Sequence, residues 1–111
     1  MIARLWFGRT NASKSEEYSK YMKKTGIKDL RETEGNRGVL MFKRLNNNVV
    51  EFYIISFWES KDSIRRFAGE DINKAVYYPE DINFLLEMEP ELKHYEVEAA
   101  PGIFSNTATG S

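Results

Sequence analysis

The chain of 111 residues contains no cysteine and only one histidine, and both scarcities exclude chemistry. Without cysteine there is no disulfide framework and no thiolate nucleophile. Histidine and carboxylate residues form no cluster with metal-ligand spacing, so we expect no metal site. The glycines match no nucleotide-binding fingerprint, and no Gly-x-Ser-x-Gly elbow is present, although a Ser–His–Asp triad is not excluded by this alone.

An excess of one charge and long apolar runs are also missing. The 16 basic residues are balanced by 17 acidic ones, which leaves a net charge of −1 and no basic surplus for nucleic acid or a membrane surface. No apolar run approaches the roughly 20 residues of a membrane span. The opening residues, Met1 to Arg4, lack the apolar segment of a signal peptide. We therefore expect a cytoplasmic protein with neither nucleic-acid nor membrane partners.

The residues that are present have the composition of a globular domain. Apolar residues make up 41% and charged residues 30%, which predicts one folded domain over residues 1–100. Aromatic residues reach 14%, more than a small core requires, so some are expected to line a pocket or an interface. Residues 101–111 are mostly small and polar, and we predict a disordered tail that is dispensable for folding.

Alternating apolar residues predict four strands, over residues 2–10, 38–44, 49–58 and 92–99. The Asn46-Asn47-Asn48 run predicts a hairpin turn between the middle two. With one helical segment after the first strand and another after the third, the order is β-α-β-β-α-β. Right-handed crossovers then predict an α+β domain with an antiparallel sheet and the ferredoxin-like, split-βαβ topology.

Helix boundaries are also visible in the sequence. Ser13 and Glu16 match a capping box, which predicts the start of the first helix. Gly26 predicts its end, and a further helical turn is expected before residue 35. Ser60 is expected to cap the second helix, and Gly69 to close it. Two short helical turns are predicted after it, over residues 72–76 and 82–86.

The third predicted strand is apolar on both of its faces. Val50, Phe52, Ile54 and Trp58 alternate with Val49, Tyr53, Ile55 and Phe57. Such a strand is covered on both sides of the sheet. The helices supply one cover, and the simplest second cover is another copy of the sheet. We therefore expect a homodimer.

Residues 51–60 (EFYIISFWES), followed by a helix with Ile64 and Phe67, resemble the antibiotic biosynthesis monooxygenase-like (ABM) family, of which Trp58 is the most recognisable mark. Residues 2–6, 35–38 and 94–97 are also similar to an uncharacterised branch of it, and the likeness covers residues 1–98. The resemblance implies a dimeric α/β barrel with one pocket per subunit between sheet and helices. In oxygenase members a phenolic substrate reacts with oxygen through its own electrons, which implies no cofactor.

His94 is the candidate catalytic residue. Its unperturbed pKa, near 6.5, suits a general base that deprotonates a phenol at neutral pH. The alternative is a hydrogen-bonded structural histidine.

Five residues are candidates for binding substrate: Trp58, Trp6, Arg4, Tyr77 and Tyr78. The two tryptophans are either pocket wall or core. Arg4 either holds an anionic phenolate or carboxylate, or forms an ion pair with Glu96 on the last strand. The tyrosine pair lies on a loop and is either a pocket lid or proton donor, or packs on the sheet.

Three functions are compatible with these residues. The first is a cofactor-independent monooxygenase, or a related cyclase-like enzyme, acting on a small aromatic or phenolic compound. The second is a dimeric protein that binds a small hydrophobic metabolite without turnover. The third is a dimeric stress-related or structural protein with a filled core. A pocket that admits an aromatic ligand separates the first two from the third.

Overall fold

The computed structural model describes residues 1–104, which form one antiparallel sheet covered by three short helices. The strands are β1 (Ile2–Asn11), β2 (Asn36–Asn46), β3 (Val49–Trp58) and β4 (Lys93–Glu96). The helices are α1 (Ser15–Lys24), α2 (Gly26–Glu32) and α3 (Lys61–Ala68). The strand order across the sheet is β2-β3-β1-β4. The predicted α+β class is confirmed, and this order is compatible with the predicted ferredoxin-like topology.

The residues of strand β3 alternate between the two faces of the sheet. The even-numbered residues, Val50 to Trp58, are buried toward the helices on what we call the inner face. The odd-numbered residues are only half-buried and form the outer face. The β2–β3 hairpin turns at Asn47, whose φ of 58° is left-handed, as the asparagine run predicted.

The core lies between the inner face and the helices. Phe52 and Trp58 are fully buried, as is Ile64 of α3, and α1 contributes Tyr18 and Met22. Burial of one such side chain contributes about 1.5–3 kcal/mol to folding. These residues therefore hold the helices on the inner face.

The two predicted helix caps have different outcomes. The cap of α3 is confirmed, since the Ser63 backbone N–H donates to Ser60 Oγ over 3.2 Å. The capping box at Ser13 is wrong. Residues 12–14 form a 3-10 turn instead, and helix α1 begins at Ser15, two residues after the predicted cap, where Ser15 Oγ donates to the Ala12 carbonyl over 3.0 Å.

The segment between α3 and β4 departs most from the prediction. Residues 72–76 are not helical, and the later turn is a single 3-10 turn, Asp81–Asn83. Lys74 instead pairs with Glu91 in an isolated bridge. The backbone carbonyls of Ile72 and Lys74 are bonded to a side chain from the sheet, so they do not form helical hydrogen bonds.

The last strand is shorter than predicted and its register excludes one expected contact. Strand β4 spans only Lys93–Glu96, and its residue opposite Arg4 is His94. Glu96 pairs with Ile2 instead. The expected Arg4–Glu96 ion pair is therefore wrong, because the register places them two residues apart along the strands.

Part of the predicted tail contacts the outer face. The ring of Phe104 packs edge-on against Phe57, with 5.0 Å between ring centroids. Residues 105–111 of the predicted tail lie outside the described residues. Because this contact covers an apolar ring, it opposes the expectation that everything from Pro101 onward is dispensable.

Candidate functional site

A cavity lies between the inner face of the sheet and the helices. It has a volume of about 60 Å³, and with its open mouth the depression encloses about 510 Å³. On the measure that gives 60 Å³, one water needs roughly 10–15 Å³, so the cavity has room for several waters or a small ring. Its walls are mostly apolar, and its aromatic side chains are Trp6, Tyr18, Phe67 and Tyr78.

The inner end of the cavity holds a buried cation. Arg4 is 4% exposed, and its guanidinium lies 5.8 Å from the centroid of the Phe67 ring. Nη1 donates to the Ile72 carbonyl, and Nη2 donates to the Lys74 carbonyl over 2.9 Å. Within residues 1–104 no carboxylate pairs with it. Burial lowers the pKa of Arg4 to about 10, so it still carries its charge at neutral pH.

His94 lies behind Arg4 and is not part of the cavity wall. Its Nε2 is 3.0 Å from Arg4 Nη1. Since a guanidinium can only donate, Nε2 is the acceptor and the ring proton is on Nδ1. Nδ1 is buried and has no partner among the described residues. Both ring nitrogens are thus unsuited to remove a proton from a ligand, and the contact favours the structural interpretation of this residue.

The environment of His94 makes it a weak base. Burial, followed by the charges of Arg4 and Lys61, lowers its pKa from 6.5 to about 4. The folded protein therefore binds this proton less readily than the unfolded chain, and stability present above pH 6.5 is lost as the pH falls toward 4.

We expect the His94→Gln variant to lose this pH dependence. Wild type should lose about 1–2 kcal/mol more than the variant between pH 7 and pH 4, a figure reduced from the full linkage value because the ring is partly solvated. Urea unfolding at half-unit pH steps measures the difference. Parallel stability curves for the two proteins would contradict a half-buried, neutral imidazole.

Trp58 also lies behind the cavity wall. It is fully buried, and its indole Nε1 donates to Ser56 Oγ over 2.9 Å. Ser56 does line the cavity, directly opposite Arg4 in the β1–β3 register. Of the two interpretations of Trp58, the structure favours the core, and its indole contacts a residue that forms the cavity wall.

Trp6 forms the aromatic wall next to Arg4. Its indole lies across Gly8, where a Cβ atom would come within 2.3 Å of the ring. The glycine therefore lets the indole lie flat along the strand. Tyr77 packs edge-on against Trp6 at 6.4 Å and donates its hydroxyl to the Glu89 carbonyl, so it supports the wall from behind.

Tyr78 stands at the mouth. It lines the cavity and also the outer depression that borders Asp29, Glu32 and Arg66. Its hydroxyl donates to Asp29 Oδ2 over 2.6 Å. Burial, helped by this carboxylate, raises the pKa of Tyr78, so the phenol stays protonated. Among the predicted binding residues, Tyr78 is the one at the cavity mouth, the position that a lid requires.

Asp81 and Tyr18 are cavity residues that sequence reasoning missed. Asp81 Oδ1 accepts from the Tyr18 hydroxyl over 2.9 Å, and Oδ2 accepts from the Tyr78 backbone N–H over 2.6 Å. Desolvation raises the pKa of Tyr18, and the charge of Asp81 adds to this effect. The sequence showed Tyr18 only as one residue of an apolar helix face, and Asp81 only as an acidic residue in a helix-like turn.

The predicted site residues thus form two layers. Arg4, Trp6 and Tyr78 line the cavity. His94, Trp58 and Tyr77 each contact a residue of that lining from behind. The fold and site define a small α+β domain with a mainly apolar cavity, at which Arg4 is buried and pairs with no carboxylate of residues 1–104.

No protein-family model matches the chain, and no curated protein is significantly similar to it in sequence. In the part of the chain that the structure describes, no helix has the length and apolar character that crossing a membrane requires. Within residues 1–104, no three histidine or acidic side chains gather closely enough to hold a metal ion.

Proposed function

We propose that this domain binds a small aromatic compound in the cavity between the sheet and the helices. The observation that carries the proposal is the cavity itself, which has aromatic walls and a polar inner end. Trp6 and Phe67 offer ring faces, and Arg4 and Ser56 offer hydrogen-bond donors. Ligand sites of small molecules combine apolar walls with a few placed polar groups in this way.

Cofactor-independent oxygenation, the activity that the ABM resemblance implies, is the second candidate. The buried charge of Arg4 favours it, because a cation next to a bound phenol or its keto tautomer stabilises the anion that reacts with oxygen. With anthrone, the balanced reaction is anthrone plus O₂ giving anthraquinone plus water. The substrate supplies the electrons, one oxygen atom becomes the new carbonyl, and the other leaves as water. The phenolic proton passes to solvent, since neither nitrogen of His94 is a free acceptor.

We propose that the protein is a homodimer joined through its outer sheet faces, as in a dimeric α/β barrel. Leu40 and Phe42 are 51% and 48% exposed on this face. The half-buried Leu5, Phe7 and Ile55 pair beside them across the strands. A contiguous exposed apolar patch of this kind is typical of protein interfaces.

A thermal-shift screen over phenols, naphthols and anthrones, with oxygen uptake recorded in parallel, tests both candidate functions. A ligand at about ten times its Kd should raise the Tm by about 4 °C or more. Oxygen uptake with quinone formation would support the enzyme, and stabilisation without uptake would support the binding protein. If no aromatic compound stabilises the protein, both proposals fail.

A substitution that fills the cavity tests whether the ligand binds there. Ile54 lines the cavity, and Ile54→Phe places extra volume there. We expect this variant to lose the ligand-induced shift while remaining folded by circular dichroism. The matched control is Ile82→Phe, since Ile82 is 71% exposed and tolerates the same change. An unchanged shift in Ile54→Phe would place the ligand elsewhere.

A further inference from the structure

The guanidinium of Arg4 has more N–H donors than residues 1–104 accept from. Of its five N–H bonds, those of Nη1 point to the Ile72 carbonyl and His94 Nε2, and one of Nη2 points to the Lys74 carbonyl. The N–H of Nε and the second N–H of Nη2 have no acceptor among residues 1–104. Nε and Nη2 share one edge of the guanidinium, and carboxylates bind arginine through two parallel hydrogen bonds to such an edge.

Ser56 adds a third donor at the same end of the cavity. It lies opposite Arg4 in the register of β1 and β3. Its Oγ accepts from Trp58 Nε1, so its own O–H is free, and no acceptor for that proton lies in the described part of the chain. Because Ser56 is buried and lines the cavity, an acceptor from a ligand can satisfy this donor.

The buried positive charge of Arg4 favours an anion at this end of the cavity. An isolated buried cation is costly, and a ligand that brings the opposite charge removes that cost. The cavity also contains the carboxylate of Asp81, but both of its oxygens accept hydrogen bonds, from the hydroxyl of Tyr18 and the backbone of Tyr78. A bound anion would therefore lie at Arg4, with its apolar part directed away from that group.

We propose that the ligand is an aromatic carboxylic acid, whose carboxylate binds Arg4 and Ser56 while its ring lies between Trp6 and Phe67. This inference rests on the proposed binding function and names its ligand class. A carboxylate is ionised at neutral pH and has two oxygens, one for the Nε–H and one for the remaining N–H of Nη2. A phenol has one oxygen and an ordinary pKa near 10, and His94 is not a base that would ionise it.

Matched one-ring ligands test the ligand class on the wild-type protein. Benzoate, benzamide and phenol share the ring, but only benzoate is an anion with two equivalent oxygens. We expect benzoate to bind at least about tenfold more tightly than either neutral ligand by calorimetry, which is about 1.4 kcal/mol. In ¹⁵N-edited NMR spectra, the Nε–H resonance of Arg4 should shift with benzoate and not with benzamide.

Variants on the inner and outer faces of the sheet complete the test. Arg4→Lys keeps the positive charge but removes the planar guanidinium with its parallel N–H donors. It should therefore lose most of the preference for benzoate. Ser56→Ala should weaken benzoate binding by a smaller factor. The matched control is Arg9→Gln, since Arg9 lies on the outer face of the same strand and pairs with Glu87. It should bind benzoate as wild type does.

Each outcome separates the two proposals. Equal affinity for benzoate and benzamide would overturn the carboxylate assignment and leave aromatic binding standing. Benzoate binding that survives unchanged in a folded Arg4→Lys variant would also overturn it, because the anion would then lie at another cation. If Arg4→Lys does not fold, the wild-type ligand comparison and the Nε–H shift decide. No binding of any aromatic compound, charged or neutral, would overturn the proposed function itself.

Discussion

Replacing Phe42 by Glu is expected to convert the proposed dimer into a monomer at micromolar concentration. Phe42 is on the outer face, halfway along the edge strand β2, and its ring stacks on Tyr53 with 5.6 Å between ring centroids. In a two-fold symmetric interface, one substitution buries two carboxylates. An unpaired buried charge costs about 3–5 kcal/mol, which raises the dissociation constant by roughly a hundredfold or more. Sedimentation equilibrium measures this constant.

The control for this prediction lies three residues further along the same strand. Leu45 is opposite Val50 of the inner face and is 67% exposed, so Leu45→Glu adds the same charge away from the outer face. It should dimerise as wild type does. A Phe42→Glu protein that remains dimeric would move the interface elsewhere. A monomeric wild type would exclude the homodimer.

Asp81→Ala is expected to destabilise the folded domain by about 3 kcal/mol. The side chain of Asp81 is 5% exposed, and it satisfies the hydroxyl of Tyr18 and the backbone N–H of Tyr78. A buried donor left without an acceptor costs about 1–3 kcal/mol, and this substitution leaves two. Urea unfolding with linear extrapolation gives the free energy of unfolding.

Asp81→Asn is the matched control, because it keeps the shape and one acceptor oxygen. We expect a loss of roughly half that of the alanine variant. Tyr18→Phe removes one of the two donors, so combining it with Asp81→Ala should be less destabilising than the sum of the two single changes. An Asp81→Ala protein within about 0.5 kcal/mol of wild type would contradict the role of this carboxylate.

Much of the fold was predictable because it depends on local periodicity. The alternation of apolar residues predicted strand β3 over residues 49–58, and the asparagine run predicted its hairpin turn. The Ser60 cap was predictable because the bond that closes it spans three residues. The predictions were wrong where a local sequence pattern was overridden by a hydrogen bond to a residue far away in the sequence. Residues 72–76 have helical spacing, yet two of their carbonyls bond Arg4, about 70 residues earlier in the chain.

The candidate site was predictable as a set of residue types but not as an arrangement. Arg4, Trp6 and Tyr78 were recognised and do line the cavity. His94 was selected because its ordinary pKa suits a base, but its pKa in the fold depends on Arg4 and on burial. Asp81 had no distinguishing signal, since its partners Tyr18 and Tyr78 meet it only after the chain has folded.

The amino-acid pattern alone established an α+β domain with a strand that is apolar on both faces, because side chains alternate across a strand and follow a different period along a helix. It also established which residues carry charge and aromatic surface. The pairing of Arg4 with His94, and not with Glu96, came from the register of β1 against β4. Register depends on contacts between residues about 90 positions apart, and a single-residue shift reverses which side of the sheet each side chain faces. The folded register therefore makes Arg4 a buried cation in the cavity, with N–H donors that have no acceptor in the described part of the chain.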